Sequence, residues 1–247
     1  MQVTQWWSKF FLVTSLVSVI LLIGGPLGYK YGFAELLPSF ASLLIALVLA
    51  VLVLIGGMIM AFVANNKGLI GDRNLLFIAI VISVVPLVAM GPPLAKGRSV
   101  PPIHDISTDV AVPPTFDVVV NLRSKAMNDL DYGSEQGSAA ALAKLQQGAY
   151  PEITTLNSAL SASEAVAQAA VILAQQGLEV VNVDVENGRV EAVATTYWFG
   201  FKDDLVVRIE PTPTGSKIDV RSVSRVGQSD LGANAARIAK FLQAFDQ

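Results

Sequence analysis

Three stretches near the start of the chain, residues 10–29, 36–64 and 75–90, are apolar and contain no Asp, Glu, Lys, Arg or His. A helix needs about 20 apolar residues to cross a hydrocarbon core of about 30 Å. The first stretch meets that length. The second exceeds it and should tilt or run into the headgroups. The third is the shortest and is interrupted by Pro86, yet it carries no charge. Three spans is the economical reading, with residues 1–94 as the transmembrane region.

Lys9 followed by an apolar run has the shape of a signal peptide. Residues 24–30 offer no small-x-small cleavage site, however, and Trp6 and Trp7 stand where an interfacial aromatic anchor belongs. A retained span is favoured. The basic flanks give little orientation: Lys9, Lys67 and Arg73 fall on the N-terminal side, Lys30, Lys96 and Arg98 on the other. The α-amino group near Lys9 tips the N-terminus inward. The expected placement is therefore an inner (cytoplasmic) membrane with the large C-terminal domain outside the cytoplasm. Ala46, Ala50, Gly57 and Ala61 lie four apart in pairs on one face of the second span. That spacing suits close helix packing, within the chain in preference to between copies. A transporter or pump is disfavoured, because such pathways nearly always carry an ionisable residue inside a span.

Composition divides at the same place. The chain has 247 residues, 53% hydrophobic and 15% charged, with a mean hydropathy of +0.55. Residues 1–99 hold six Lys/Arg and two acids; the rest holds eleven Lys/Arg and eighteen acids, a net of −7. Intrinsic disorder, a collagen-like fibre and a single soluble globule are excluded. Without cysteine there is no disulfide framework, Cys-ligated zinc or thiol nucleophile. An acidic domain with no basic run does not suit nucleic acid.

Residues 95–116 read as a Pro-rich linker. Gly91-Pro92-Pro93 should end the third span, and the linker should dock through Ile103, Ile106 and Phe116. Residues 118–122 read as a short strand or extended segment. The soluble domain, 117–247, is clearest in its last ninety residues. Ser161-Ala162-Ser163-Glu164 has capping-box spacing before a helical apolar pattern that Gly177 ends. A hairpin follows over 180–199, turning at Asn187-Gly188. Leu205, Val207 and Ile209 alternate with polar residues, as do Ile218 and Val220. Ser229 is placed to cap a last helix over about 230–245. Helix, four strands and helix predict an α+β domain, an antiparallel sheet with helices packed on one face.

Several motifs together resemble domain-of-unknown-function family 1499, found in bacteria and plastids. They are residues 104–109, 113–116, 149–151, Trp198-Phe199-Gly200-Phe201-Lys202-Asp203-Asp204, and the long run 219–232. The similarity covers roughly residues 101–240. It implies no established reaction, substrate or catalytic residue. That some members place a membrane segment before the domain implies membrane anchoring here too.

The dense polar constellation is Arg221, Arg225, Asp203, Asp204 and Asp230. Arg221 shares a strand face with Lys217, Asp219 and Arg225. One reading is an anion site: two guanidinium forks beside the backbone N–H groups that start the last helix at Ser229, with Trp198 nearby. The other is a salt-bridge network holding strand ends to that helix. Asp203 and Asp204 alternate across a strand, which argues against their converging as an acid/base or metal pair. His104 is the only histidine. It reads as hydrogen-bonded where the linker docks, not as a triad member, and no Gly-x-Ser-x-Gly elbow is present. Among Tyr197, Trp198, Phe199 and Phe201, alternation assigns one set to the core. No catalytic residue, metal or cofactor is expected. The leading reading is a membrane protein whose domain is an envelope scaffold or binding module, with the bilayer and a protein as partners. The second is a binding domain for an anionic or lipid-like small molecule; a hydrolase comes third.

Overall fold

The computed structural model describes residues 4–124 and 127–245. Among them, contacts divide the chain into two units. The first runs to Ala95 and includes Trp198–Gly200; the second comprises Lys96–Tyr197 with Phe201 onward.

The first unit is built on α1 (Trp6–Lys30), α2 (Leu36–Asn66) and α3 (Ile70–Ser99), each long and apolar enough to span a membrane. Its packing reverses the soluble pattern. Large side chains such as Ile20, Phe62 and Val81 face outward, while Ala46, Ala50, Ala61, Ser15, Ser18 and Ser83 are buried. Small residues let helices approach where no water exists to drive association. The buried hydroxyls avoid an unsatisfied donor by bonding back to their own helix, as Ser18 Oγ does to the Ser15 carbonyl at 2.7 Å. Ser42 Oγ also reaches across from α2 to the Leu21 carbonyl at 3.2 Å. A Cβ added at Gly25 would stand 1.8 Å from that hydroxyl, so only glycine permits this approach. Asp72, buried in the first turn of α3, accepts from the Gln5 N–H at 2.7 Å and Ser8 Oγ at 2.6 Å. It supplies an acceptor at the start of α1, where the Gln5 side chain makes no cap.

Contrary to the expected stop at 91–93, α3 continues through Pro92 and Pro93 to Ser99. The fixed φ of proline is itself helical, but each ring also removes an N–H donor and crowds the carbonyl four residues back, so the helix continues here at a cost.

The second unit is an α+β domain. Its sheet follows the order β1 (Asp105–Ser107), β6 (Gly215–Ser224), β5 (Lys202–Thr212), β4 (Arg189–Thr195), β3 (Glu179–Asp184), all antiparallel. β2 (Leu156–Ser158) pairs with the other end of β6. The helices α5 (Ala162–Gln175) and α6 (Ala233–Phe245) cover one face. There Val166, Leu173, Leu205, Val207, Ile218, Val220, Ile238 and Phe241 form the core with Ile103 and Ile106. The capping box at Ser161 and Glu164 is present, and the expected apolar stripes point inward.

Several local features depart from the sequence reading. β1 is a strand inside the stretch read as linker. The segment read as extended at 118–122 contains a 3-10 helix, Val119–Leu122. Its preceding N–H groups, of Asp117 and Val118, donate to the buried Glu191 carboxylate at 2.6 and 2.8 Å. A further helix, α4 (Ala139–Ala149), is capped by Ser138. The β3–β4 loop has four residues, not two: Asp184 pairs with Arg189, and its carboxylate takes the Asn187 N–H at 3.0 Å. β4 ends at Thr195, because Thr196–Gly200 turn before β5.

Candidate functional site

The strands facing the core on one side carry charge on the other. On β6 the outward positions are Lys217, Asp219, Arg221 and Val223, with Arg225 just beyond; on β5 they are Asp204, Val206 and Arg208. Residues 109–124 and 127–131 meet this face through their carbonyls, Arg123 and Phe116, so most of its charges are buried.

Arg221 lies at the centre of one cluster. Its Nε and Nη2 donate to the two carboxylate oxygens of Asp105 at 2.9 and 2.7 Å. The remaining donors reach the Pro114 carbonyl at 3.2 Å and the Leu130 carbonyl at 2.6 Å. Phe116 and Tyr132 present their rings to the guanidinium at 5.4 and 5.5 Å. Burial raises the Tyr132 phenol, as does Asp105, while Arg221 opposes them.

Arg225 forms the second cluster. Its Nε and Nη2 donate to Asp204 at 3.0 and 2.7 Å, and Nη1 to the Leu122 carbonyl at 3.1 Å. Arg123 donates to the other side of Asp204 and to the Asn128 carbonyl. One fully buried carboxylate thus serves two guanidinium groups.

The third cluster surrounds Asp219. It accepts from Arg208 at 2.8 Å and Thr108 at 3.0 Å, and also from Thr155, with Lys217 at 3.2 Å. Asp109 joins Arg208 at 2.9 Å. Burial pushes the Asp219 carboxyl up, but the hydrogen bonds from Thr155, Arg208, Lys217 and Thr108 outweigh it and hold the group below the usual carboxylate range. Asp109 is likewise lowered: burial raises it, and the Val112 N–H and Arg208 prevail.

The residues singled out in the sequence are therefore distributed as follows. Arg225 and Asp204 are brought together. Arg221 pairs with Asp105 in preference to the expected aspartates. Asp203 faces the helices, where Arg237 donates to it at 2.7 Å. Asp230 accepts from the Gly232 and Asn234 N–H groups, both at 2.7 Å, ahead of α6. Ser229 accepts from the Leu231 N–H at 3.3 Å and does not cap that helix. Burial raises the Asp230 carboxyl, against those two N–H groups and with help from Asp203. Trp198 lies in the turn after β4, its ring 6.2 Å from that of Phe199. Tyr197 is exposed. His104 is buried, but its Nδ1 makes no hydrogen bond; its backbone carbonyl holds the docked segment, accepting from the Ser224 N–H and Asn234 Nδ2. Among the described residues, no three His, Asp or Glu side chains are placed to hold a metal ion.

Asp105, Arg123, Arg237 and Glu191 were not singled out. The alternation along β6 identifies its charged face, but nothing local names partners 116 residues away, as for Arg221 and Asp105. Comparison with curated proteins finds no match. A family model described as protein of unknown function, DUF1499, matches residues 105–245.

Proposed function

From the premise that this chain belongs to the DUF1499 family, whose model matches residues 105–245, we propose that it is a membrane-anchored scaffold or binding module. In this reading, three spans hold the chain in the cytoplasmic membrane of a bacterium. They display the α+β domain on the outer side, where it engages an envelope component or partner protein without turnover. The observation that carries the reading is the internal use of the arginine forks. Arg221 and Arg225 each spend one edge on a buried carboxylate and their remaining donors on carbonyls of the covering segment. Such an arrangement stiffens a surface for presentation. It leaves little for an incoming anion to claim.

Replacing both arginines with alanine in the full chain, in detergent, tests this. Arg221→Ala strands the buried Asp105, at about 3–5 kcal/mol, while Arg225→Ala leaves Asp204 with Arg123 alone and adds a smaller cost. The thermal midpoint should fall by more than about 10 °C. A double variant that keeps the parental midpoint while losing an anionic ligand would transfer the face to the ligand-binding reading.

A further inference from the structure

Four of the five residues 197–201 are aromatic, although they lie in the connection between β4 and β5, where small and polar residues ordinarily serve. Their placement accounts for this. Trp198–Gly200 belong to the helical unit, whereas the strands on either side do not. Phe199 is 9% exposed, its ring 5.4 Å from that of Phe40 and 6.3 Å from that of Tyr29. Gly200 holds a φ of +70°, and a Cβ there would stand 2.9 Å from Cγ of Lys30, so the backbone lies close against the last turn of α1. Trp198 is half-buried and meets Phe199 edge-on. The connection from α1 to α2 exposes Tyr31 and Phe33, and Leu37 is exposed in the first turn of α2.

The depth of these rings can be read from the helices. Tyr29 is one residue from the end of α1, and Phe40 is four residues beyond the start of α2. At about 1.5 Å per residue, both lie within about 6 Å of the helix ends. The polar layer on each side of a hydrocarbon core is about 5–8 Å thick. Tryptophan and tyrosine favour that layer, since an indole or phenol offers an apolar body and a polar edge. We propose that the Trp198–Gly200 turn binds the phospholipid interface: Trp198 sits at headgroup level, while Phe199 and Gly200 hold the turn to the ends of α1 and α2. Lys30, in the last turn of α1, adds a cation for headgroup phosphates. Depth favours lipid over a partner protein as the occupant. The inference rests on the membrane-anchored part of the proposed function and is independent of the scaffold part.

The test uses tryptophan emission. The chain has three tryptophans, so Trp6→Phe with Trp7→Phe leaves Trp198 as the sole emitter. The full chain is reconstituted into phosphatidylcholine vesicles brominated either high on the acyl chains or near their ends. The shallow label should quench Trp198 at least about twofold and more strongly than the deep one. Where the double variant loses its helical circular dichroism, the difference between the parental chain and Trp198→Phe gives the same reading. A companion chain with all three tryptophans changed to Phe and Ile20→Trp, on the outward face of α1, reads membrane residence alone. Quenching of that reporter, with Trp198 untouched by the shallow label or quenched more by the deep one, overturns the lipid proposal and leaves anchoring in place. Quenching at neither position overturns both.

Discussion

Asp219 keeps a charge where the sheet and its covering segment exclude water, because two cations and two hydroxyls surround it. Its folded carboxyl titrates below the unfolded value of 3.8. The folded state therefore holds the proton less tightly than the unfolded chain. The stability this supplies is complete above the unfolded value and is lost as pH falls through the folded one. Asp230 runs the opposite way: its raised carboxyl takes a proton more readily when folded, so its ionisation subtracts stability as pH rises through its folded value. Substituting Asp219→Asn should cost about 2–3 kcal/mol at neutral pH. It should also flatten the acid side of the urea-midpoint profile, measured in detergent. A variant retaining the parental slope below pH 3.8 would show that other carboxylates govern acid unfolding.

Among the elements, β1 shows why some of the fold was legible and some was not. It is only three residues long, Asp105–Ser107, and reads as linker because a strand so short has no period to count. β6 pairs one of its edges. The other edge is satisfied by a side chain. The buried Gln146 of α4 accepts from the Ser107 N–H at 3.0 Å and donates to the Ser107 carbonyl at 2.7 Å, as a neighbouring strand would. By contrast, α5 was visible from Ser161 and Glu164, and β5 and β6 from their alternation, since those signals are local. Alternation likewise exposed the charged face but not its pairing, which depends on long-range register. Replacing Gln146 with Leu keeps the bulk and strands two backbone groups. It should lower stability by about 2–4 kcal/mol and speed amide exchange across residues 105–108. Unchanged exchange there would mean that β6 alone secures the strand. Because β1 carries Asp105, loosening it also loosens Arg221.

At the scale of the whole molecule, the charges that decide orientation are balanced. α1 and α3 begin side by side, Asp72 of one reaching Gln5 and Ser8 of the other. Lys9, Lys67 and Arg73 thus fall at one set of helix ends, against Lys30, Lys96 and Arg98 in the last turns of α1 and α3. A chain poised at three against three should be easily turned. We expect a C-terminal reporter active only outside the cytoplasm to be bright in the parental chain, and its cytoplasmic counterpart dark. Changing Lys9 and Lys67 to Gln leaves Arg73 alone against three, so a measurable share of molecules should then invert and light the cytoplasmic reporter. A parental chain bright only in the cytoplasmic fusion would reverse the outward placement. Because the same three apolar helices cross the bilayer either way round, both orientations should resist carbonate extraction and yield to detergent, separating the orientation test from membrane residence itself.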